Sequence, residues 1–227
     1  TCVTCPPCPP RTPCPTSPLT CVTCVTVSLC HLCHLCHLSH LCHLCHLSQD
    51  TVSHLSSHLS AAAASSLPLG VKLVRGAYLD QERGRSQRLQ SPAPTWDTPE
   101  QTSHSYERCL SLVLSSVARA GSAVALMVAT HNEASVLSAV TKISQLSLRP
   151  SGGSVCFAQL LGMGDHLSLA LAQNGFPVYK SVPLGPPEVT IPYLARRAAE
   201  NRQALGGARR ERQLLGAELR RRLRPWA

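Results

Sequence analysis

Between residues 71 and 200 the apolar and polar positions follow two rhythms that take turns along the chain. Residues 71–78, VKLVRGAY, form a short β-rich run. Alternation sets Lys72, Val74, Gly76 and Tyr78 on one face and Leu73, Arg75 and Ala77 on the other. Residues 123–129, AVALMVA, are continuously apolar, the pattern of a parallel strand buried on both faces. Residues 155–161 and 178–182 read as two further strands. Between these runs the spacing is helical. Thr98 reads as an N-cap with Pro99 at the first helical position, and Tyr106, Leu110, Val113, Leu114, Val117 and Ala118 carry the helix to Gly121. Residues 133–146 place Val136, Leu137, Val140 and Ile143 on one helical face, and residues 166–173 make another helix, closed by Asn174-Gly175. Residues 80–98 are polar and contain proline, and they read as an irregular connection.

The pattern is therefore βα repeated four times, which implies an α/β fold with a parallel sheet and helices outside it. In such folds ligands bind beyond the carboxyl ends of the strands. The polar or glycine-rich clusters Gly76-Ala77-Tyr78, Thr130-His131-Asn132 and Gly162-Met163-Gly164 all fall at those ends, which predicts one composite site.

The helix after the fourth strand carries Tyr193, Arg196, Arg197 and Glu200 at offsets of zero, three, four and seven, so one face is polar and doubly cationic. Leu194, Ala195, Ala198 and Ala199 lie on the other side, which suits burial. Two neighbouring guanidiniums repel unless an anion sits between them, and their planar forks match a carboxylate. Glu200, one turn on, is placed to orient them. The competing interpretation of this face is a solvated one with ordinary i,i+4 pairs.

Composition divides the chain. Residues 1–70 hold eleven of the thirteen cysteines and eight of the eleven histidines, with Arg11 and Asp50 their only charged side chains. From Cys30 the chain reads CHLCHLCHLSHLCHLCHLS, and residues 20–27 read TCVTCVTV. Both protein repeats can come from successive frames of one tandem nucleotide repeat, so residues 1–70 are expected to be a translated low-complexity segment, disordered and without a core. Cys and His are good soft-metal ligands. An unbroken tripeptide repeat lacks the turns that bring separated ligand pairs together, so no dedicated metal site is expected. Residues 71–227 are expected to hold the folded part.

The net charge of +9 comes mainly from arginines between Arg196 and Arg224. No aromatic residues interleave with them for base stacking, and Leu214, Leu215, Leu219 and Leu223 suggest the buried stripe of a helix, which argues against nucleic acid as a partner. No run reaches the ~18 apolar residues of a membrane span. Cys109 and Cys156, the only cysteines after residue 70, suit a reducing compartment and no disulfide framework.

Five ordered motifs, KLVRGAY, MVATHNE, FAQLLGMGD, PVYKSVPLGP and YLARRAAEN, closely resemble the second half of the proline dehydrogenases, in particular their hydroxyproline dehydrogenase branch. The resemblance runs from about residue 71 to the C-terminus. It implies the C-terminal half of a (βα)₈ TIM-type barrel holding FAD. The implied reaction oxidises 4-hydroxyproline or proline to a cyclic imine and passes electrons to a quinone, in mitochondria and in possible contact with the inner membrane. By this resemblance Lys72 would stand near the reacting end of the flavin, where negative charge grows as hydride arrives. Arg75, Gly76, Ala77, Thr130, His131, Asn132 and Gln159 would contact FAD. Tyr78, Leu160 and Tyr193 would wall the substrate ring, and Arg196 and Arg197, supported by Glu200, would hold its carboxylate. Ser181 stands where proline-selective relatives have tyrosine, which opens space beside the ring and favours 4-hydroxyproline. Leu184 replaces an aromatic residue usual at the pocket mouth.

The family's basic and acidic residues from the early strands, and a flavin-holding glutamine, have no counterpart in this sequence. A complete barrel takes about 250 residues, so the chain is expected to be inactive alone. The alternative to a dehydrogenase is a catalytically dead half-barrel that acts as a partner-binding fragment.

Overall fold

The computed structural model describes residues 40–44, 51–75, 79–200 and 208–223. Among them five strands form one sheet: β1 (His40–Leu44), β2 (Leu69–Val74), β3 (Val124–Ala129), β4 (Val155–Leu160) and β5 (Val178–Ser181). Every neighbouring pair is parallel, and the spatial order is the sequence order. A doubly wound sheet reverses its order at a switch point, whereas a barrel wall adds each strand beside the last. The chain follows the barrel-wall order. The helices are α1 (Thr51–Ala64), α2 (Leu79–Leu89), α3 (Pro99–Ala120), α4 (Glu133–Gln145), α5 (Asp165–Gln173), α6 (Pro187–Glu200) and α7 (Ala208–Leu223). None of them is long and apolar enough to cross a membrane.

The pleat divides the strand residues between two environments. Leu69, Val71 and Leu73 of β2, Val124, Leu126 and Val128 of β3, and Val155 and Phe157 of β4 form one continuous core with the helices. α3 supplies most of the opposing layer through Tyr106, Cys109, Leu110, Val113, Leu114 and Val117. Its start is a full capping box: the Thr98 hydroxyl accepts from the Gln101 amide, and the Gln101 side chain accepts from the Thr98 amide. It ends at Gly121, whose φ of 59° disfavours residues with a Cβ. α3 and α4 are tied together where Glu107 accepts from Ser138 and pairs with Lys142 at 3.5 Å. On the opposite sheet face, Met127, Cys156 and Ala158 make a second, thinner cluster with Ala129 and Tyr179.

Three sequence expectations need correction. Residues 51–70 are not coreless: α1 packs on α3 and buries Leu55 completely and Leu59 nearly so, and β2 begins at Leu69. Leu55 and Leu59 are a helical turn apart, a signal hidden by the surrounding Ser and His. Part of the tripeptide repeat, His40–Leu44, forms β1 by pairing with β2. A bare parallel edge offers backbone donors and acceptors that almost any extended chain can satisfy. The rest of the repeat lies outside the described residues. Second, α2 occupies part of the stretch expected to be irregular. It has almost no apolar periodicity, and it is tied to the following loop by Arg83 Nη2, which donates to the carbonyls of Trp96 (3.2 Å) and Asp97 (3.4 Å).

The third correction concerns helical faces. In α4 the buried stripe is Val136, Ala139 and Ile143, with Leu137 left 58% exposed. In α7 Leu214, Leu219 and Leu223 are exposed, so the leucines do not form a buried stripe. α6 likewise exposes Leu194, Ala195, Ala198 and Ala199, while Tyr193 and Arg197 are half-buried. Apolar spacing identifies a face that can be covered, and among the described residues nothing covers these.

Because α1 belongs to the same core as α3, Leu55→Ala is expected to destabilise the chain by about 2–5 kcal/mol, as large-to-small core changes do. Leu110→Ala is the comparison. Urea unfolding measures both, and a Leu55→Ala midpoint equal to that of the unaltered chain would mean that α1 contributes nothing.

Candidate functional site

Register fixes which residues share the face opposite the helix-covered core. Lys72, Met127 and Cys156 stand in one row across β2, β3 and β4. One step towards the carboxyl ends, Val74, Ala129, Ala158 and Tyr179 form the next row, and Leu160 and Ser181 the one beyond. The middle of this face is built from Ala129, Ala158 and Cys156, small residues that leave its floor low. Lys72 and Ser181 are half-buried.

At the rim, Thr130 is buried and its hydroxyl accepts from the Asn132 amide at 3.1 Å. Asn132 in turn caps α4, its side-chain oxygen accepting from the Ser135 amide at 2.9 Å. Between them, His131 Nε2 accepts the Leu160 amide hydrogen at 3.0 Å. A nitrogen that accepts this bond carries no proton, so the imidazole is neutral, with its hydrogen on Nδ1. Burial, then the Lys180 ammonium, hold its pKa below the ordinary imidazole value, and Glu211 opposes them.

Beyond Leu160 the chain turns through residues 162–165 into α5. Gly162 (φ 77°) and Gly164 (φ 63°) are left-handed. Lys180 Nζ donates to the Met163 carbonyl at 2.8 Å and pairs with Asp165 Oδ1 at 2.6 Å. Lys180, Asp165 and Glu211 were not among the residues expected from sequence. Lys180 lies inside a quoted motif, but nothing in its spacing distinguishes it from an ordinary surface lysine.

Not every expected ligand-facing residue reaches the rim. Gln159 is 2% exposed and turned to the helix layer, where it accepts from Ser168 Oγ at 2.9 Å and donates to the Thr130 carbonyl. Its parity differs from that of Ala158 and Leu160, so it supports the rim from behind. Arg75 also points to the helix side. Its Nη2 donates to Ser103 Oγ of α3 at 2.5 Å, near the fully buried Tyr106, whose phenol burial raises far above its ordinary value. Asn132 is occupied by its cap. Lys72, Thr130, His131, Leu160 and Ser181 do share the rim or the rows beneath it. α6 leaves the same rim after β5; on it Arg197 lies over the Tyr193 ring, its Cζ 5.4 Å from the centroid, and Arg196 is exposed. Gly76, Ala77 and Tyr78 lie outside the described residues, as does the Glu200 side chain.

The family described as proline dehydrogenase matches residues 47–210. The chain is 54% identical over 177 residues to human hydroxyproline dehydrogenase, covering 78% of this chain and 38% of that protein. It is 44% identical over 176 residues to human proline dehydrogenase 1, mitochondrial, covering 78% and 29%. Among solved structures it resembles proline utilization A from Bdellovibrio bacteriovorus, with a TM-score of 0.63 at 22% identity over 71% of this chain and 16% of that one. A proline utilization A variant from Bradyrhizobium japonicum gives 0.60 at 26% identity, covering 71% and 16%. The chain thus spans 38% of the length of the hydroxyproline dehydrogenases it matches.

The neutral His131 makes the fold sensitive to acid. With its folded pKa below the unfolded one, the unfolded state binds the proton first as pH falls below about 6.5, and stability drops from there down to the folded pKa. His131→Gln, whose amide oxygen can still accept the Leu160 amide hydrogen, is expected to lose less stability than the unaltered chain between pH 7.5 and 5.5. Urea midpoints at the two pH values measure this, and equal losses would contradict it.

Proposed function

The chain belongs to the proline dehydrogenase family, and from that premise we propose that it forms the substrate-facing wall of an FAD-dependent dehydrogenase that oxidises 4-hydroxyproline, or proline, to the cyclic imine. The observation that carries this reading is the convergence at one rim. His131 pins the backbone of Leu160, Ser181 stands beside Leu160 in register, Lys72 lies two rows beneath, and the Arg196-Arg197 helix departs from the same edge.

The residues present fit a flavin. Ala129, Ala158 and Cys156 keep the face low enough for a flat ring system to lie against the strands. The His131 Nδ1–H and the Lys72 ammonium are donors suited to an electron-rich heterocycle. FAD, when bound, supplies the two-electron acceptor chemistry. The protein's part is placement. Arg196 and Arg197 would fix the amino-acid carboxylate, with Glu200 in support. Tyr193 and Leu160, with Tyr78, would confine the ring, so that the carbon next to nitrogen gives up hydride in one orientation. The nitrogen must enter the step as the neutral amine and loses its remaining proton as the C=N bond forms. Lys72 would stabilise the negative charge that grows opposite the donor carbon.

Ser181 favours 4-hydroxyproline, because a hydroxymethyl leaves room for the ring hydroxyl and offers it a hydrogen bond. The name of the human relative, proline dehydrogenase 1, mitochondrial, supports a mitochondrial setting. A quinone acceptor and contact with the inner membrane rest on the family resemblance.

A second reading draws on one observation: Val182, Leu184, Val189, Ile191 and Leu194 are all 46–77% exposed around α6. Such a surface suits a fragment that works through a partner.

Bleaching of the flavin absorbance on anaerobic addition of 4-hydroxyproline to the chain loaded with FAD would support the dehydrogenase reading. Arg196→Met or Arg197→Met is expected to weaken 4-hydroxyproline binding about 30- to 150-fold, the loss of a charge-assisted contact of about 2–3 kcal/mol. A folded chain that takes up neither FAD nor the amino acid would favour the partner-binding fragment. Ser181→Tyr is expected to move the ratio of kcat/KM values towards proline; an unchanged ratio would remove Ser181 from the specificity argument.

A further inference from the structure

α5 begins without a cap of its own. The residue before it, Gly164, has no side chain to offer, and its left-handed φ of 63° disfavours a replacement that would. The free Asp165 amide is met instead by a carboxylate 46 residues downstream. Glu211 Oε1, from the first turn of α7, accepts that amide hydrogen at 2.6 Å and lies 3.3 Å from His166 Nδ1. A carboxylate at this position also complements the positive end of the helix dipole. Glu211 is about four-fifths covered, so the contact is partly shielded from water.

The other side of the same turn is held by Lys180, through the Met163 carbonyl and Asp165 Oδ1. Behind it, Ser168 Oγ bridges Gly164 and Gln159. In front, His131 fixes the Leu160 amide. The six-residue path from Leu160 to Asp165 is therefore anchored by side chains from β5, α5, α7 and the loop before α4. Only the α7 anchor comes from outside the strand-and-helix repeat, and Glu211 lies one residue beyond the stretch matched by the family.

We propose that Glu211 is a positioning residue: by capping α5 it holds the turn at residues 162–165, and with it Leu160, where Leu160 confines the substrate ring. This rests on the substrate reading above. α7 then acts as a strut for the pocket wall, and its attachment couples the C-terminal segment to ring binding.

The test compares the full chain with Glu211→Ala and Glu211→Gln, the second keeping an oxygen that can accept the Asp165 amide hydrogen. Amide hydrogen exchange at Asp165 is expected to quicken about tenfold in Glu211→Ala and to return to within about threefold of the unaltered rate in Glu211→Gln. The dissociation constant for 4-hydroxyproline, by calorimetry, is expected to rise about three- to tenfold in Glu211→Ala and to recover with Gln. Unchanged exchange at Asp165 would overturn the clamp. Faster exchange with unchanged affinity would overturn the positioning role. If the unaltered chain binds no 4-hydroxyproline, the substrate reading fails instead, and the exchange data separate that failure from failure of the clamp.

Discussion

A parallel strand inside a sheet spends its backbone hydrogen bonds on both neighbours and presents two faces that must each meet something. In this chain the register between strands decides what each face meets. One set of alternate positions, Leu73, Val128 and Phe157 among them, is apolar and closes on α3, α4 and α5. The other set runs from Lys72 through Ala129, Ala158 and Tyr179 to Ser181 and is thinner, smaller and more polar. A slip of one residue in any pairing would exchange the two sets and destroy core and site together.

The same constraint explains why rim residues divide into those that can meet a ligand and those that support them. Leu160 and Ser181 share the parity of the open face. Gln159 and Lys180 sit one residue earlier and point the other way, into the packing behind the turn. Gln159 fastens Thr130 and α5, and Lys180 fastens the glycine turn. His131, in the loop beyond β3, crosses to the neighbouring strand and accepts the Leu160 amide hydrogen, which ties two adjacent strand ends together. Its pKa is depressed first by its burial and then by the Lys180 ammonium, which suits an imidazole that must stay neutral to accept that hydrogen bond.

Coverage is uneven across the molecule. The β2–β3–β4 region is backed by α3, α4 and α1 and contains nearly every fully buried side chain. Towards β5, strand residues are only half-buried, and α6 exposes Val189, Ile191 and Leu194. The carboxylate-binding arginines are thus proposed on the least covered helix of the described fold, which suits an element whose remaining contacts come from a ligand or from other protein surface.

Hydrophobic period and end signals in the sequence determined the βα succession, the cap at Thr98, the stop at Gly121 and the placement of Thr130-His131 at a strand end, because these depend on residues close together in the chain. The five motifs marked the family for the same reason: four of them run through the carboxyl end of a strand, and the fifth begins on α6. Tertiary structure alone decided what local pattern cannot carry. It showed that Leu55 and Leu59 inside a Ser/His-rich stretch complete the core, and that Arg75 and Gln159 face the helices. It left the apolar sides of α6 and α7 uncovered, and brought Glu211 to cap a helix 46 residues upstream. Each of these depends on a partner distant in sequence, and hydrophobicity or charge at one position does not say which distant surface will meet it.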